Sequence, residues 1–534
     1  MSGNLFDLIR SRVPSPDKVL LELADGRQLS YGEALAWSGR LANILVLRGV
    51  EPGDRVAVQV EKSPEALILY LAVLRTGAVY LPLNTAYTLA ELEYFLSDAE
   101  PKGVVCDPNK RAGIEAVAQK CGVAAVETLD AAGRGSLGAA AAGAPADFAD
   151  VPRKQTDLAA ILYTSGTTGR SKGARMTHRN LASNATTLAR AWHFSGRDVL
   201  LHALPMYHTH GLFVATNVTM IAGGSMLFLP RFDAGEVLRL LPRATAMMGV
   251  PTFYVRLLQH PDLDRARCAH MRLFISGSAP LLAETQREFL ARTGHAILER
   301  YGMTETGMNT SNPYDGERIA GSVGFPLSGV ELRIADPATG KVLPPGEVGV
   351  IEIRGPNVFA GYWRMPKKTA AEFRDGFFVS GDLGKIDARG YVHIVGRGKD
   401  LIITGGFNVY PKEIETEIDA LPGVVECFLL RVAFSDDFGR RRDQHGEATV
   451  LLRFEDHREA EIFGHDVCSV CDVSTIVTRQ KSSPGIWRLV SFAGLNPTYD
   501  LPYTGTMAPR VTWFSGEARN RIVAATASTF GHFA

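Results

Sequence analysis

The chain has 534 residues, enough for three or four packing units at the usual domain size. Lys+Arg and Asp+Glu both number 57, so the formal net charge is +0, which excludes a protein built chiefly to grip nucleic acid or an anionic membrane. Hydrophobic residues at 46% and charged residues at 21% exclude wholesale disorder, and six Cys in so long a chain suit reduced thiols.

The N-terminus has no basic stretch followed by an apolar one, so no secretory signal is expected and a cytoplasmic protein is the default. In chain order, Val56–Val60 reads as a strand and Ser63–Thr76 as a helix opened by a Ser cap and a Pro. The apolar run Ala66–Leu83 is broken by Arg75 and Gly77, which predicts a buried helix and a strand instead of a membrane span. Val104–Cys106 and Ala159–Tyr163 read as further strands, a β-then-α rhythm that predicts an α/β domain with largely parallel sheets. Ala131–Asp147 is Ala/Gly-rich and reads as a loose surface loop or frayed helix.

A second rhythm begins near Gly321. Val330–Ile334, Gly349–Ile353 and Tyr391–Val395 alternate with period two between Gly/Pro/Asp turns and predict antiparallel strands, a β-rich subdomain. After Gly396-Arg-Gly-Lys-Asp400 comes a new start, with a helix expected over Pro411–Leu421. We expect a large domain over 1–398 and a small α+β domain over 399–534.

The strongest chemical signal is Tyr163-Thr-Ser-Gly-Thr-Thr-Gly-Arg-Ser-Lys-Gly173, between a strand and a helical pattern starting near Thr177. Glycines let backbone N–H groups and hydroxyls approach phosphate oxygens, and Lys172 adds a point charge. The spacing is not that of the usual P-loop. Six further signatures follow: Leu204-Pro-Met-Tyr-His208, Ser276-Gly-Ser-Ala-Pro280, Tyr301-Gly-Met-Thr-Glu-Thr306, Ser380-Gly-Asp382, Gly396-Arg-Gly-Lys-Asp400 and Gly405-Gly-Phe-Asn-Val-Tyr-Pro411. Singly, Asp382 would read as a turn residue, Glu305 as a solvated helix acid and His210 as a satisfied core histidine.

Together, in this order, the motifs resemble the adenylate-forming superfamily of acyl-CoA synthetases, luciferases and peptide-synthetase adenylation domains. Met206–Leu212, Val250–Arg256 and Met308–Tyr314 resemble the malonyl-CoA synthetases most closely. The resemblance covers about residues 5 to 426. It implies that a carboxylate attacks the α-phosphorus of ATP, and that the thiol of coenzyme A then displaces AMP. It implies ATP, Mg²⁺ and coenzyme A as cofactors, a small carboxylate as substrate, no nucleic acid or membrane partner, and a monomer or homodimer.

By the same resemblance, Thr164, Ser165, Gly166, Thr167, Thr168, Gly169, Arg170, Ser171 and Lys172 would hold the β- and γ-phosphates. Glu305 would bind Mg²⁺ and Thr304 would touch the α-phosphate. Ser276, Gly277, Ser278, Ala279 and Tyr301 would line the adenine. Asp382 would accept from the ribose hydroxyls, and Arg397 would support the ribose or phosphate. His208 would wall the acyl pocket, Lys399 would be the interdomain hinge, and Gly405 and Gly406 would flank the pantetheine tunnel. A dicarboxylate substrate needs a cation for its distal charge, and Arg256 is the sequence candidate.

The family pattern fades after Glu426. Asp437-Phe-Gly439 fits the family's Asp-Phe-Gly-Glu-Gly, but the chain then reads Arg440-Arg-Arg-Asp443. Assumed codons for Gly-Glu-Gly-Val-Thr, GGC-GAA-GGC-GTG-ACC, give CGA-AGG-CGT-GAC when displaced and spell that text, which suggests frameshifted stretches. The family's late Pro-Arg-x-x-x-Gly-Lys is missing: Arg510 lies in a different register and Lys481 is the last lysine of this sequence. Losing one such charge-stabilising donor costs about 10²–10³ in rate, so adenylation is expected to be impaired, or the chain to be a non-catalytic nucleotide-binding remnant. Cys468-Ser-Val-Cys471 beside His465 has no second ligand pair, so no zinc site is expected, and residues 468–534 show no sustained periodicity.

Overall fold

The computed structural model describes residues 2–164 and 171–398 in full. Beyond them it describes the backbones of strands Ile402–Thr404, Phe407–Val409, Val424–Val432, Glu447–Phe454, Glu459–Gly464, Ile476–Ser483 and Ile486–Phe492. The last two fall where the sequence shows no periodicity. The expected helix Pro411–Leu421, Lys399, Gly405, Gly406, Arg510 and the Cys468–Cys471 pair lie outside the described residues.

The chain divides into two compact units: Met1–Gly346 with Ile351–Ser380 and Ile386–His393, and Glu347–Val350 with Gly381–Lys385 and Ile394–Ala534. The first is mixed α/β. Its six-stranded sheet runs Ala125–Thr128, Gly103–Cys106, Arg55–Gln59, Val79–Pro82, Leu158–Thr164, Lys172–Thr177, and its pairs are parallel except the last. A nine-stranded sheet has the parallel run Leu298–Met303, Leu273–Ser276, Ala246–Gly249, Val199–His202, Ser225–Phe228, Val19–Leu23 at its centre.

Helix Pro64–Arg75 shows why these residues fold as they do. The Ser63 hydroxyl accepts from the Ala66 N–H at 3.0 Å, and Pro64 supplies the preset φ at the first helical position. Every residue from Ala66 to Arg75 is buried, the mark of a helix covered on all sides. Arg75 is tolerated inside because its guanidinium donates to Asp150 at 2.5 Å and to the Leu35 carbonyl at 2.7 Å. Tyr70, Trp192, Phe228 and Phe6 fill the same core. Later strands Glu331–Ala335, Gly349–Arg354, Phe377–Ile386 and Val392–Arg397 form the β-rich part.

Ala131–Asp147, open between a loose loop and a frayed helix, contains helix Ser136–Ala142, with Leu137 and Ala141 buried, so the helical alternative holds. Asn43 donates to the carbonyls of Pro145 and Asp147, both at 2.9 Å, and small side chains let that backbone lie close to Gly39. The phosphate-loop motif follows a strand and precedes a helix that starts at His178, as expected, but a second strand comes between. Thr164 pairs with Lys172 across an antiparallel hairpin, and strand Lys172–Thr177 precedes helix His178–Ala191. Thr177 caps that helix reciprocally with Asn180. Among the described residues no helix is long and apolar enough to cross a membrane.

Candidate active site

The hairpin brings Lys172 to Tyr362. The Lys172 ammonium lies 4.3 Å from the centroid of the Tyr362 ring and donates to its hydroxyl at 3.3 Å. Tyr362 in turn donates to Glu305 Oε1 at 3.0 Å. Lys172 also approaches Glu372 at 3.9 Å, while Lys368 holds that carboxylate at 2.6 Å. Ser171 is fixed through its carbonyl, which accepts from the Tyr94 hydroxyl at 2.6 Å. Ser165–Arg170 lie outside the described residues.

Glu305 is not a solvated helix acid. It sits in the turn between strands Leu298–Met303 and Gly307–Ser311 and is 6% exposed. The turn is clamped: Phe359 N–H donates to the Glu305 carbonyl at 2.8 Å, and Asn357 donates to the Thr306 carbonyl at 2.7 Å. Burial raises the Glu305 pKa above the usual carboxylate range, partly offset by the Tyr362 hydrogen bond and the Lys172 charge. A divalent cation fits here, because it would offset that desolvation. Among the described residues no cluster of three or more His, Cys, Asp or Glu is placed to hold a metal, so such an ion would rest on Glu305 plus phosphate and water oxygens. Thr304 is half-buried beside it.

A second group surrounds Ser276–Ala279. Ser276 ends strand Leu273–Ser276, and its hydroxyl is buried with no partner among the described residues. Ser278 has φ +73°, a left-handed conformation that costs roughly 1 kcal/mol or more for a non-glycine residue. Gly277 is required by its neighbour: a Cβ there would lie 2.5 Å from Arg300 Cζ. Arg300 is 2% exposed, and its Nη2 reaches the Ser278 hydroxyl only at 3.5 Å. Its Nε has no partner among the described residues. His210 Nδ1 lies 3.3 Å from the same Ser278 hydroxyl, and its Nε2 is buried and unpartnered there too. His210 is therefore not a satisfied core histidine. Its pKa is well below the usual value, first through burial and then through Arg300.

Arg300 directly precedes Tyr301, whose side chain is partly exposed. Ala279 is exposed, and so is His208, whose ring centroid is 4.9 Å from that of Tyr207. Arg256 stands at the end of helix Pro251–Leu258, exposed, with its guanidinium 4.8 Å from the Phe232 ring centroid. Phe232 and the stacked Phe253 line a cavity of about 250 Å³, with Lys62, Tyr207 and Arg231 on its wall. In the second unit, Asp382 is 8% exposed and its Oδ1 lies 3.3 Å from Arg397 Nε, so the structure pairs these two expected nucleotide residues.

Sequence reasoning missed Arg300 and Tyr362. The signal for Arg300 was a charged pair, Glu299-Arg300, at the heart of an otherwise apolar strand. Tyr362 gave no signal, since only the fold brings it to Glu305.

Residues 10–363 match the AMP-binding enzyme family. The chain belongs to that family. Among AMP-binding relatives, it is 36% identical over 412 residues to a feruloyl-CoA synthase of an Amycolatopsis species, covering 76% of this chain and 81% of the relative. It is 30% identical over 494 residues to a malonate–CoA ligase of Arabidopsis thaliana, covering 84% of this chain and 79% of that one. ATP-bound MatB from Rhodopseudomonas palustris superposes with a TM-score of 0.81 at 61% identity, covering 88% of this chain and 90% of that chain. This AMP-binding enzyme is an AMP-forming acid–CoA ligase that works through an acyl-adenylate.

Proposed function

We propose that the acid is malonate or a close dicarboxylate such as methylmalonate, activated with ATP and passed to coenzyme A. The observation that carries this reading is Arg300: a buried guanidinium whose Nε has no partner among the described residues, packed on Gly277 and facing Ser278. An unmatched buried donor on a charged group is costly, and an aliphatic acyl chain would leave it so. A carboxylate would satisfy it through paired N–H bonds. Burial raises the pKa of adjacent Glu299 to about 8, the direction that weakens its cancellation of the arginine charge, while burial also lowers that of Arg300. Ser278 and His210 add polar groups at the same spot.

The distal-carboxylate role expected for Arg256 suits Arg300 better. Arg256 is exposed, where a carboxylate contact is worth little. The malonate–CoA ligase and MatB relatives agree with a dicarboxylate substrate.

The remaining roles belong to the same proposal. Thr164–Lys172 hold the distal phosphates, Thr304 contacts the α-phosphate, and Ser276, Gly277 and Ala279 with Tyr301 face the adenine, while the Ser278 hydroxyl turns to the acyl end. Asp382 accepts from the ribose with Arg397 beside it. Glu305 would hold Mg²⁺, which when bound neutralises phosphate charge as the carboxylate attacks. His208 borders the acyl end, and a boundary near residue 398 with Lys399 as hinge separates the two half-reactions. Gly405 and Gly406 flank the thiol path. A cytoplasmic site and impaired adenylation, from the missing late lysine, complete the reading. The test is a carboxylate panel scored for AMP and thioester: dependence on malonate supports it, and equal rates with butyrate would overturn it.

A further inference from the structure

Lys62 stands outside every role described so far. It is 7% exposed, and among the described residues no charged partner perturbs it; burial alone lowers its pKa well below the usual value. Its Nζ is 2.8 Å from His202 Nδ1 and 2.8 Å from the His202 carbonyl oxygen. Its ammonium also faces the Phe228 ring, 4.3 Å from the centroid. Even a neutral amine keeps two N–H donors, so both contacts survive loss of the charge.

His202 ends strand Val199–His202 and is 1% exposed. With Nδ1 accepting from Lys62, its other nitrogen carries the proton. That Nε2 lies 3.0 Å from the Gly211 carbonyl and 3.1 Å from the Thr216 hydroxyl. The Thr216 hydroxyl donates to the same carbonyl at 2.9 Å. Gly211 and Thr216 belong to a π-helical turn, His210–Thr216, a rare geometry that needs outside support. The turn is pressed against the chain before it, since a Cβ on Gly211 would lie 1.9 Å from the Pro205 carbonyl oxygen. Its first residue is His210, which meets Ser278 beside Arg300.

We infer that Lys62 is a positioning residue for the acyl pocket: by donating to His202 Nδ1 it fixes the tautomer that ties down the Gly211 carbonyl, and so sets the π-helical turn that aims His210 at Ser278 and Arg300. This rests on the acyl-pocket reading above. Lys62 acts through His202 and touches neither substrate nor nucleotide in this scheme.

The test is binding by the full chain of AMP and of a non-reactive malonyl-sulfamoyl adenosine. The unaltered protein is expected to bind the malonyl compound more tightly than AMP. Lys62→Met should remove roughly tenfold of that gain, the scale of one buried hydrogen bond, and leave AMP affinity unchanged. Lys62→Gln, which keeps a donor, should restore part of it. If the unaltered protein gains nothing from the malonyl group, the acyl-pocket reading fails. If Lys62→Met keeps the whole gain, or loses AMP affinity equally, this inference is overturned. Imidazole ¹⁵N spectra of the unaltered protein give a second check that needs no variant. His202 should carry its proton on Nε2, and a proton on Nδ1 would overturn the inference.

Discussion

Tyr362 donates to the buried Glu305 carboxylate at 3.0 Å while accepting from Lys172 at 3.3 Å, so one phenol joins the phosphate-loop lysine to the candidate metal ligand. The three residues come from a hairpin strand, a strand-connecting turn and a later loop. Their meeting makes the phosphate and metal ends of the site one hydrogen-bonded unit.

Removing that link has a specific consequence. Tyr362→Phe should weaken Mg-ATP binding by roughly fivefold to fiftyfold, because Glu305 loses a donor and Lys172 an acceptor. AMP lacks the distal phosphates and should bind as before. Calorimetric titrations with both nucleotides measure the difference.

Glu305 itself couples to pH. Its folded pKa is raised by burial, so its ionised form opposes folding above the unfolded value and the opposition vanishes at lower pH. Glu305→Gln should therefore raise the melting temperature of the metal-free protein near pH 7 and have little effect below about pH 4, where both states are protonated. The same variant should slow pyrophosphate release at least 10²-fold. Thermal melts across pH and a pyrophosphate assay check the two halves.

Arg300→Met and Arg256→Ala separate the two candidates for the distal carboxylate. Arg300→Met should lose malonate selectivity over butyrate by about 10²-fold or more, since it removes a desolvated charge partner. Arg256→Ala should change selectivity by less than about fivefold. Gly277→Ala should mimic the arginine variant, because its Cβ would sit 2.5 Å from the guanidinium carbon and displace it. Overpacking of that kind costs about 1–3 kcal/mol in stability. The ratio of kcat/KM for the two acids reads all three.

Glu299 offers a fourth measurement. Its pKa is raised to about 8 by burial, offset in part by the Leu281 N–H and by Arg300. The folded state holds this proton more tightly than the unfolded chain, so the contribution is fully present below about pH 4.5 and is lost as pH rises through about 8. Glu299→Gln should flatten the fall in stability over that interval, a slope of at most about 1.4 kcal/mol per pH unit. Urea melts at several pH values give the slope.

Much of this protein was legible as sequence because its signals are local. Ser63 and Pro64 announce a helix start by chemistry that needs only neighbouring backbone, and Thr177 does the same for the helix after the hairpin. The ordered motifs likewise carried the family and its α/β architecture, whereas the pairing of Asp382 with Arg397 came from the structure. Composition left Ala131–Asp147 open between loop and frayed helix, because it does not show that the small residues there dock closely on Gly39 and Asn43.

What the sequence determined by itself is the reaction class, because phosphate loops and capping residues are short-range devices. Only the tertiary structure separates the two arginines that could meet the proposed dicarboxylate. Arg256 and Arg300 are both arginines near family motifs, and nothing in their spacing separates them. Burial does: Arg256 keeps its water, whereas Arg300 is packed against the bare face of Gly277 with a donor left over. Tyr362 and Lys62 belong to the same class of fact, since their partners lie 57 and 140 residues away and the value of each contact comes from the exclusion of solvent that the fold achieves.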